Sequence, residues 1–371
     1  MKIISLSKLF RAAKAWGMTI LLLASISFGL NALADDERND RTFSVMTQNL
    51  FMGTDFPELV AAKNFDEFVQ AVTITYQNVL ATLPTKRMAG IAQEIAKVKP
   101  DLIGLQEAAI VRTGITTLPA TPATHIEFDM LSSLLSALGK LKTPYKPIVI
   151  LKGLDAQAPG IQGFDVRFTV QDVILARADR LKDDFKLSGI QAQNYQAQFV
   201  VYTAVGPIAN LAGFASVVVN YHGQKFRFVT THLAVPLFSD ITVPYAQANE
   251  LIDFVNSASP SIPTVLVGDF NSSANDPIHS TFATYSNLLG AGYIDTWLAI
   301  HPDDPGFTCC QAPDVKNVNS LLNLRIDLIL NKGFDTLNAE LLGNKKADRI
   351  PKINVWPSDH AGVFARFRIQ D

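Results

Sequence analysis

The chain contains 371 residues, of which 48% are hydrophobic and 18% are charged, and its formal net charge is −2. This balance suits a folded protein with a large core and excludes a mostly disordered one. No linker rich in Pro, Gly or Ser divides the sequence, so one large domain is the simplest organisation.

The first 34 residues have the pattern of a secretory signal peptide. A basic start contains Lys2, Lys8, Arg11 and Lys14. The apolar run Met18–Leu30 is shorter than the roughly 20 residues that a spanning helix needs, and the small-x-small sequence Ala32-Leu33-Ala34 follows it. We therefore predict a signal peptide at 1–34 and a secreted or periplasmic domain at 35–371 without a transmembrane segment. An uncleaved anchor is the alternative.

The predicted mature chain is acidic. Loss of four basic residues from the signal peptide reduces the 32 Lys and Arg to 28, against 34 Asp and Glu, which gives a net charge of −6. A duplex-binding protein usually has a basic face, because neutralised phosphates supply much of its affinity. The densest basic stretch, around Lys345-Lys346, is typical of solvated surface. Charge therefore gives no support to a nucleic-acid partner, unless a local basic groove exists.

The two cysteines, Cys309 and Cys310, are adjacent. Their number rules out a disulfide scaffold. They make a poor zinc site by themselves, because zinc takes three or four well-spread ligands. The pair either forms a vicinal bridge or stays as two buried thiols, and we expect a structural role in a loop rather than a catalytic one.

The first half of the domain alternates strand-like and helix-like runs, which favours an α/β fold. In chain order we predict a strand at Arg41–Asn49, helices at Phe65–Leu83 and Thr85–Val98, a strand at Asp101–Gln106, a loop at Thr113–Thr124, a helix at Glu127–Leu138, and strands at Pro147–Leu151 and Asp172–Arg177. Lys99-Pro100 ends the second helix, because proline cannot continue the helical hydrogen bonds. The following strand ends at Glu107.

The second half is richer in strands. We predict a strand at Gln198–Thr203, a hairpin of Ser216–Tyr221 with Lys225–His232, a helix at Pro244–Val255, and strands at Thr264–Gly268, Arg325–Leu330 and Gly362–Ile369. Polar residues repeatedly follow the predicted strands. In α/β sheets, active sites tend to lie beyond such strand ends.

Individually, these polar residues are ambiguous. Asp269-Phe270-Asn271 follows an apolar strand and a glycine, yet Asp, Asn and Gly are also favoured in ordinary turns. Ser358-Asp359-His360 is unremarkable loop chemistry by itself, and Glu107 by itself fits an exposed strand end.

Their combination and order are more informative. Six motifs follow one another: Gln48-Asn49, Leu105-Gln106-Glu107, Thr231-His232-Leu233, Gly268-Asp269-Phe270-Asn271, Arg325-Ile326-Asp327 and Ser358-Asp359-His360. Together they resemble the endonuclease/exonuclease/phosphatase superfamily, which includes apurinic endonucleases, pancreatic-type deoxyribonucleases, neutral sphingomyelinases and inositol-polyphosphate phosphatases. The resemblance extends from about Thr42 to Phe367. It implies a four-layer α/β sandwich, in which two mixed β-sheets pack face to face and are flanked by helices.

The resemblance also implies a metal site and a metal-dependent phosphoric-ester hydrolase. Its ligands would be Asn49, Glu107 and Asp359, with Mg²⁺ as the ion and Mn²⁺ as the alternative, because hard cations prefer oxygen donors.

The same resemblance assigns catalytic roles to five residues. Asp269 would activate the attacking water, and Asn271 would donate a hydrogen bond to the developing charge. His232 and His360 would contact the phosphate, and Asp327 would orient His360. One departure is the helix after His232, which reads Pro244-Tyr245-Ala246-Gln247 where family members often carry an arginine.

The substrate is left open by the motifs, because loops decide it in this superfamily. Thr113–Thr124 and Gly306–Ser320 are the candidate walls of the substrate site. We expect an exported phosphodiesterase acting as a monomer on a lipid head group or another soluble phosphoester such as an inositol phosphate. The alternatives are an extracellular endonuclease with nucleic acid as substrate, and a catalytically inactive surface-binding module on the same scaffold.

Overall fold

A computed structural model describes residues 41–182, 184–236, 241–258, 262–277 and 281–369. The predicted signal peptide and its cleavage site lie outside this part of the chain. Within it, none of the helices combines the length and the apolar character needed to cross a membrane.

The strands observed in these ranges are β1 (Thr42–Asn49), β2 (Leu102–Gln106), β3 (Ile110–Ile115), β4 (His125–Asp129), β5 (Tyr145–Pro159), β6 (Phe164–Arg177), β7 (Phe185–Asn194), β8 (Phe199–Thr203), β9 (Gly206–Asn210), β10 (Gly213–Tyr221), β11 (Gln224–His232), β12 (Thr264–Asp269), β13 (Ile294–Asp295), β14 (Asp327–Lys332), β15 (Phe334–Leu342) and β16 (Gly362–Ile369). The α-helices are α1 (Pro57–Ala61), α2 (Phe65–Ala81), α3 (Pro84–Val98), α4 (Met130–Lys140), α5 (Thr242–Ala258), α6 (Phe282–Gly290) and α7 (Thr296–Ile300).

The strands form two mixed sheets. The first has the order β15-β16-β1-β2-β6-β3-β4, and β5 also pairs with β6. The second has the order β13-β14-β12-β11-β10-β7, and β8 and β9 form a separate hairpin. In the first sheet β1 and β2 are parallel, and in the second β11 and β12 are parallel.

The sheets pack face to face through an apolar core. Phe43 of β1 stacks on Phe226 of β11, with 4.3 Å between the ring centroids, and Val267 of β12 belongs to the same cluster. Helices α2, α3 and α4 cover the outer face of the first sheet, while α5 and α6 cover the second. The predicted four-layer sandwich is therefore confirmed.

Two predicted segments differ from the structure. The loop Thr113–Thr124 begins inside β3, and the helix predicted at Glu127–Leu138 begins only at Met130. Asp129 fixes this start, because its carboxylate accepts the N–H of Ser132 at 2.9 Å as an N-cap. The residues before it form β4 instead.

The sequence analysis did not predict β7 and β15, and each lies at the end of a sheet. β7 is mostly exposed and therefore lacks the apolar run that marks an inner strand.

Arg87 of α3 joins two loops that lead to the strand ends. Its fully buried guanidinium donates to the carbonyl of Leu50 at 2.8 Å, of Phe51 at 2.6 Å and of Pro357 at 3.1 Å. It also donates to the carbonyl of Thr82 at 3.1 Å. Burial lowers the pKa of Arg87 to about 10, so this side chain is charged at neutral pH.

We predict that Arg87→Met lowers the free energy of unfolding by about 3 kcal/mol or more, because it leaves several buried carbonyls without a donor. Urea unfolding of both proteins measures the loss. Lys86→Met, at the exposed neighbouring position, is the matched control and should unfold like the wild type. Equal midpoints for the two variants would contradict this role of Arg87.

Candidate active site

Two pairs of parallel strands bring the predicted residues to one end of the sandwich. In the first sheet Asn49 of β1 pairs with Gln106 of β2, so Glu107 comes directly after that pair. In the second sheet His232 of β11 pairs with Asp269 of β12. Asp269 also pairs with Asp327, the first residue of β14. Five of the eight predicted residues are thus fixed by strand register.

Glycines allow the close approach on which this arrangement depends. A Cβ on Gly104 of β2 would lie 2.4 Å from the hydroxyl oxygen of Thr230, which belongs to the opposite sheet. Gly268, with a φ of +149°, lies so close to β11 that a Cβ would lie 2.0 Å from the carbonyl oxygen of Thr231. Larger residues at either position would push apart the strands that carry the site.

The Asn49 amide joins carboxylates from both sheets. Its Nδ2 donates to Oε1 of Glu107 at 3.0 Å and to Oδ2 of Asp269 at 3.1 Å. The other oxygen of Glu107 accepts the N–H of Met52 at 2.8 Å. Glu107 has a positive φ of 58°, which turns the chain sharply at the end of β2.

Both predicted histidines lie beside carboxylates. Nδ1 of His360 lies 2.8 Å from Oδ2 of Asp327, in the pairing predicted from sequence. Nε2 of His232 lies 3.6 Å from Oδ2 of Asp269, and Nδ1 of His360 lies 3.9 Å from the same oxygen. The Asp269 carboxylate is therefore the point at which the two histidines converge.

The Ser358-Asp359-His360 loop is tied to β1. The Ser358 hydroxyl donates to the carbonyl of Asn49 at 2.7 Å and accepts the N–H of His360 at 3.2 Å. Oδ1 of Asp359 lies 3.9 Å from Nε2 of His360. Ser358 thus fixes the loop on the strand that carries Asn49.

Asn271 holds the loop after β12. Its Nδ2 donates to the carbonyl of Leu233 at 2.8 Å, and its backbone N–H donates to Oδ1 of Asp269 at 2.9 Å. The residue has a φ of 47°, a left-handed conformation that asparagine tolerates. This geometry orients Asp269 and leaves a second amide hydrogen for the role predicted from sequence.

Gln247 occupies the helix in which the sequence lacks an arginine. It is fully buried, its Oε1 accepts the N–H of Ala234 at 2.8 Å, and its Nε2 donates to the carbonyl of Ala197 at 2.8 Å. A structural contact at this helix is therefore present, and it supports the segment that follows His232.

Carboxylates outnumber cations around this centre. Six acidic side chains influence one another electrostatically: Asp55, Glu107, Asp172, Asp269, Asp327 and Asp359. They face two histidines and the buried Arg87. Burial is the main cause that raises the pKa of Asp172 and of Asp359 to about 7, and the charge of Glu107 adds to both shifts.

Asp172 and Asp55 were not assigned a role from sequence. Asp172 lies within β6, in a strand segment that the sequence predicts, and its carboxylate accepts the backbone N–H of Glu107. Glu107 was identified because a carboxylate borders a predicted apolar strand. The same criterion would also have identified Asp172. Asp55 lies at the exposed rim in an irregular segment, where no strand pattern marks it.

The carboxylates hold both histidines toward the protonated form. Burial lowers the pKa of His360, but Asp327 and Asp359 outweigh it and hold the pKa well above 6.5. For His232 burial again opposes the charge, and Asp269 followed by Asp172 raises the pKa above 6.5. Each imidazolium therefore persists to higher pH than a free histidine.

The donor set fits a hard divalent cation. Glu107 and Asp359 offer carboxylate oxygens, and the excess of carboxylates leaves negative charge that a cation would neutralise. Asn49, the third predicted ligand, instead turns its amide nitrogen to Glu107 and Asp269, while its amide oxygen accepts the N–H of Phe51 at 2.9 Å. A second group, Asp269, Asp327 and His360, places one ligand atom from each within 4.8 Å of the others. The Asp327–His360 hydrogen bond competes with metal binding there, which favours the Glu107 side.

The cysteine pair lies in a loop that contacts the site. Cys309 and Cys310 form a vicinal disulfide. In the same loop Gln311 donates its N–H to the carbonyl of Asp359 at 2.9 Å, and the Thr308 hydroxyl accepts the N–H of Asp327 at 3.1 Å. The loop thus supports the residues on both sides of the Asp327–His360 pair.

Comparison with known proteins gives one family and a set of similar folds. The model of the Endonuclease/Exonuclease/phosphatase family matches residues 202–360, which include four of the six motifs. A search of curated proteins found no match.

Several solved structures resemble the chain. A family protein from Leptotrichia buccalis has 17% identity and a TM-score of 0.51, over 88% of this chain and 100% of that one. One from Bacteroides thetaiotaomicron has 15% identity and a TM-score of 0.53, over 89% and 98%. The human Nocturnin catalytic domain, solved with a bound sulfate anion, has 16% identity and a TM-score of 0.52, over 89% and 94%.

Similarity at these identities shows the fold, and the family model adds the sequence signature. The resemblance predicted from six motifs is confirmed: residues 202–360 match the model of the endonuclease/exonuclease/phosphatase family, and the chain shares its fold with solved members of that family. Members of this superfamily are hydrolases of nuclease and phosphatase type.

Proposed function

We propose that this protein is a hydrolase, a Mg²⁺-dependent phosphodiesterase. The observation that carries the proposal is the excess of carboxylates around Asp269 and the Asp327–His360 pair. Such a centre is costly in a buried site unless a cation compensates the negative charge. A bound divalent ion would neutralise charge on the phosphoryl oxygens.

The residues of the chain supply the remaining chemistry. Asp269 accepts a proton from the attacking water, since its Oδ1 is oriented by the N–H of Asn271 and its Oδ2 by the amide of Asn49. His360 receives the support of Asp327 on Nδ1, which leaves Nε2 to donate to a phosphoryl oxygen. His232 is the second cationic donor.

A lipid head group or another soluble phosphodiester is the preferred substrate class, because the mature chain is acidic overall. Extracellular endonuclease activity is the second candidate, and the cationic pocket described in the next subsection supports it. An inactive surface-binding module is disfavoured, since all eight predicted residues converge and none is substituted.

We also propose export, with the mature domain beginning after Ala34. Expression of the full-length chain in a bacterial host should give a protein whose N-terminus starts at Asp35 and which is recovered outside the cytoplasm. Edman sequencing of the recovered protein measures this. An intact N-terminus on a protein held in the membrane fraction would support the uncleaved anchor instead.

For catalysis we predict that Asp269→Asn and His360→Asn each lower kcat on the order of 10²–10³-fold or more, because each removes a group that acts in the transition state. The substrates are bis-p-nitrophenyl phosphate, sphingomyelin, plasmid DNA and inositol phosphates, each assayed with Mg²⁺ and with EDTA. EDTA should abolish wild-type turnover, and Mg²⁺ should restore it.

His222→Asn is the matched control. His222 precedes β11 and lies at the opposite end of that strand from His232, so this variant should keep wild-type activity. Turnover that survives EDTA, or full activity in both site variants, would refute the proposed mechanism.

A pH profile tests the charge on His232. Its raised pKa means that the imidazolium persists above pH 6.5 and is lost as the pH rises through the folded-state pKa. We predict that kcat/KM declines in that alkaline range in the wild type. His232→Gln keeps a neutral hydrogen-bond donor but no titrating cation. Its kcat/KM should therefore be lower than that of the wild type at pH values below the decline, and it should not show the decline assigned to His232. An unchanged profile would show that His232 does not act as a cation.

A further inference from the structure

A second polar cavity adjoins the active site on the first sheet. It has a volume of about 290 Å³ and is lined by Arg112, Ala123, Thr124, Lys152, Asp155, Arg167, Thr169 and Gln171. Three of these residues are cationic and one is anionic, on a chain with an overall negative charge. The site described above has the opposite balance, so the cavity is chemically distinct from it.

The cavity and the active site share neighbouring residues. The carbonyl of Gln171, which lines the cavity, accepts the N–H of Ala108 at 2.9 Å. Ala108 follows Glu107, and Asp172 follows Gln171. The Gln171 wall of the cavity therefore lies beside the backbone that carries Glu107 and Asp172.

The cationic side chains lie on the face of the sheet that carries the active site. Val111, Val166 and Phe168 pack against the outer helices, so their neighbours Arg112 and Arg167 point to the other face. Further along β6, Ile174 and Ala176 lie on that inner face. The inward-facing positions of β6 therefore change from odd to even numbers between Arg167 and Ile174, and the pairing of β5 with β6 shifts in the same region, between Lys152 and Asp155.

The arginines are already oriented by a hydrogen-bond network. Arg167 forms a two-point ion pair with Asp155, with both distances 2.7 Å. The Thr169 hydroxyl donates to Asp155 at 3.0 Å and accepts from Nη1 of Arg112 at 2.9 Å. This network fixes the orientation of the Arg112 guanidinium. Within the described part of the chain only its Nη1 is engaged, and its partner, the Thr169 hydroxyl, carries no charge.

The remaining positive charge is not compensated by the protein. Arg112 and Arg167 are directly opposed on β3 and β6, and like charges in that arrangement are destabilising. Among the carboxylates of the described ranges, Asp155 alone pairs with this cluster within 4.0 Å, and it pairs with Arg167. Arg112 and Lys152 therefore remain available to an anion.

We propose that this cavity binds a second phosphate group of the substrate, distinct from the phosphate that is hydrolysed. The inference rests on the proposed phosphodiesterase function and narrows its substrate class to molecules with two phosphates close together. Seven of the eight lining residues are polar or charged, which suits a phosphate rather than an apolar group. Either a nucleotide chain or a phosphorylated inositol head group carries this chemistry.

The test uses two pairs of substrates that differ only in a second phosphate. One pair is thymidine 5′-(p-nitrophenyl phosphate) with and without a 3′-phosphate. The other is phosphatidylinositol and phosphatidylinositol 4-phosphate in mixed micelles. The variant is Arg112→Gln combined with Lys152→Gln, and the matched control is Lys146→Gln, an exposed position on β5 outside the cavity.

We expect the wild type to prefer the doubly phosphorylated member of one pair, and the double variant to raise KM for that member about tenfold or more. The singly phosphorylated member should change less than about twofold, and the control should behave as wild type. The pair that responds identifies the source of the second phosphate. Equal responses of both members in both pairs would overturn the proposal.

A binding measurement separates this result from a failure of the proposed function. If the wild type hydrolyses neither pair, calorimetric titration with thymidine 3′,5′-bisphosphate and with thymidine 5′-monophosphate still measures phosphate binding in the cavity. The proposal is supported if the wild type binds the bisphosphate more tightly than the monophosphate and if Lys152→Gln weakens binding of the bisphosphate. Equal affinities in wild type and variant refute it.

Discussion

The Asn49 amide connects the two halves of the candidate active site, because its nitrogen donates to one carboxylate from each sheet. Glu107 belongs to the first sheet and Asp269 to the second, and two carboxylates held this close would repel each other without a donor between them. The position of the amide depends in turn on the end of β1. That end is held by the Ser358 hydroxyl at the carbonyl of Asn49 and by Arg87 at the carbonyl of Leu50.

This connection explains how Arg87, which does not line the site, helps to fix the position of the site residues. Arg87 donates to the carbonyls of Leu50 and Phe51, which follow β1, and to the carbonyl of Pro357, which precedes Ser358. It therefore holds these two loops together. Its charge also lies near Asp359, where it lowers that carboxyl's pKa while burial raises it. The helix layer therefore contributes both the geometry and part of the charge balance of a centre that lies between the two sheets.

Much of the fold and the site could be predicted from the sequence because inner strands have continuous apolar runs that end in polar residues. The strand before Asp269 and the strand before Glu107 are of this kind, and both are fully buried. The exposed edge strand β7 lacks such a run, and the start of α4 is fixed by a cap at Asp129 that the apolar pattern does not contain.

Contacts between residues that are distant in the chain could not be predicted from sequence patterns, for a different reason. The cationic cavity depends on the pairing of Arg112 with Arg167 and of Lys152 with Gln171, and these pairings follow from strand register rather than from local sequence. The Thr113–Thr124 loop was predicted to border the substrate, and Ala123 and Thr124 from that loop do line the cavity.

The two neighbouring sites have opposite charge balances, and this has a consequence for how a substrate is oriented. A metal-free centre rich in carboxylates would repel a phosphate, whereas the cationic lining of the adjoining cavity would attract one without a metal ion. A ligand with two phosphates would therefore be held first at the cationic end, with its other phosphate next to Glu107. Because exposed charges are screened by salt while buried ones are screened less, that orientation is weakened by ionic strength sooner than the catalytic geometry is. Specificity and chemistry can thus vary separately on this scaffold, since the strands β3 and β5 that carry Arg112 and Lys152 contain none of the eight predicted catalytic and metal-binding residues.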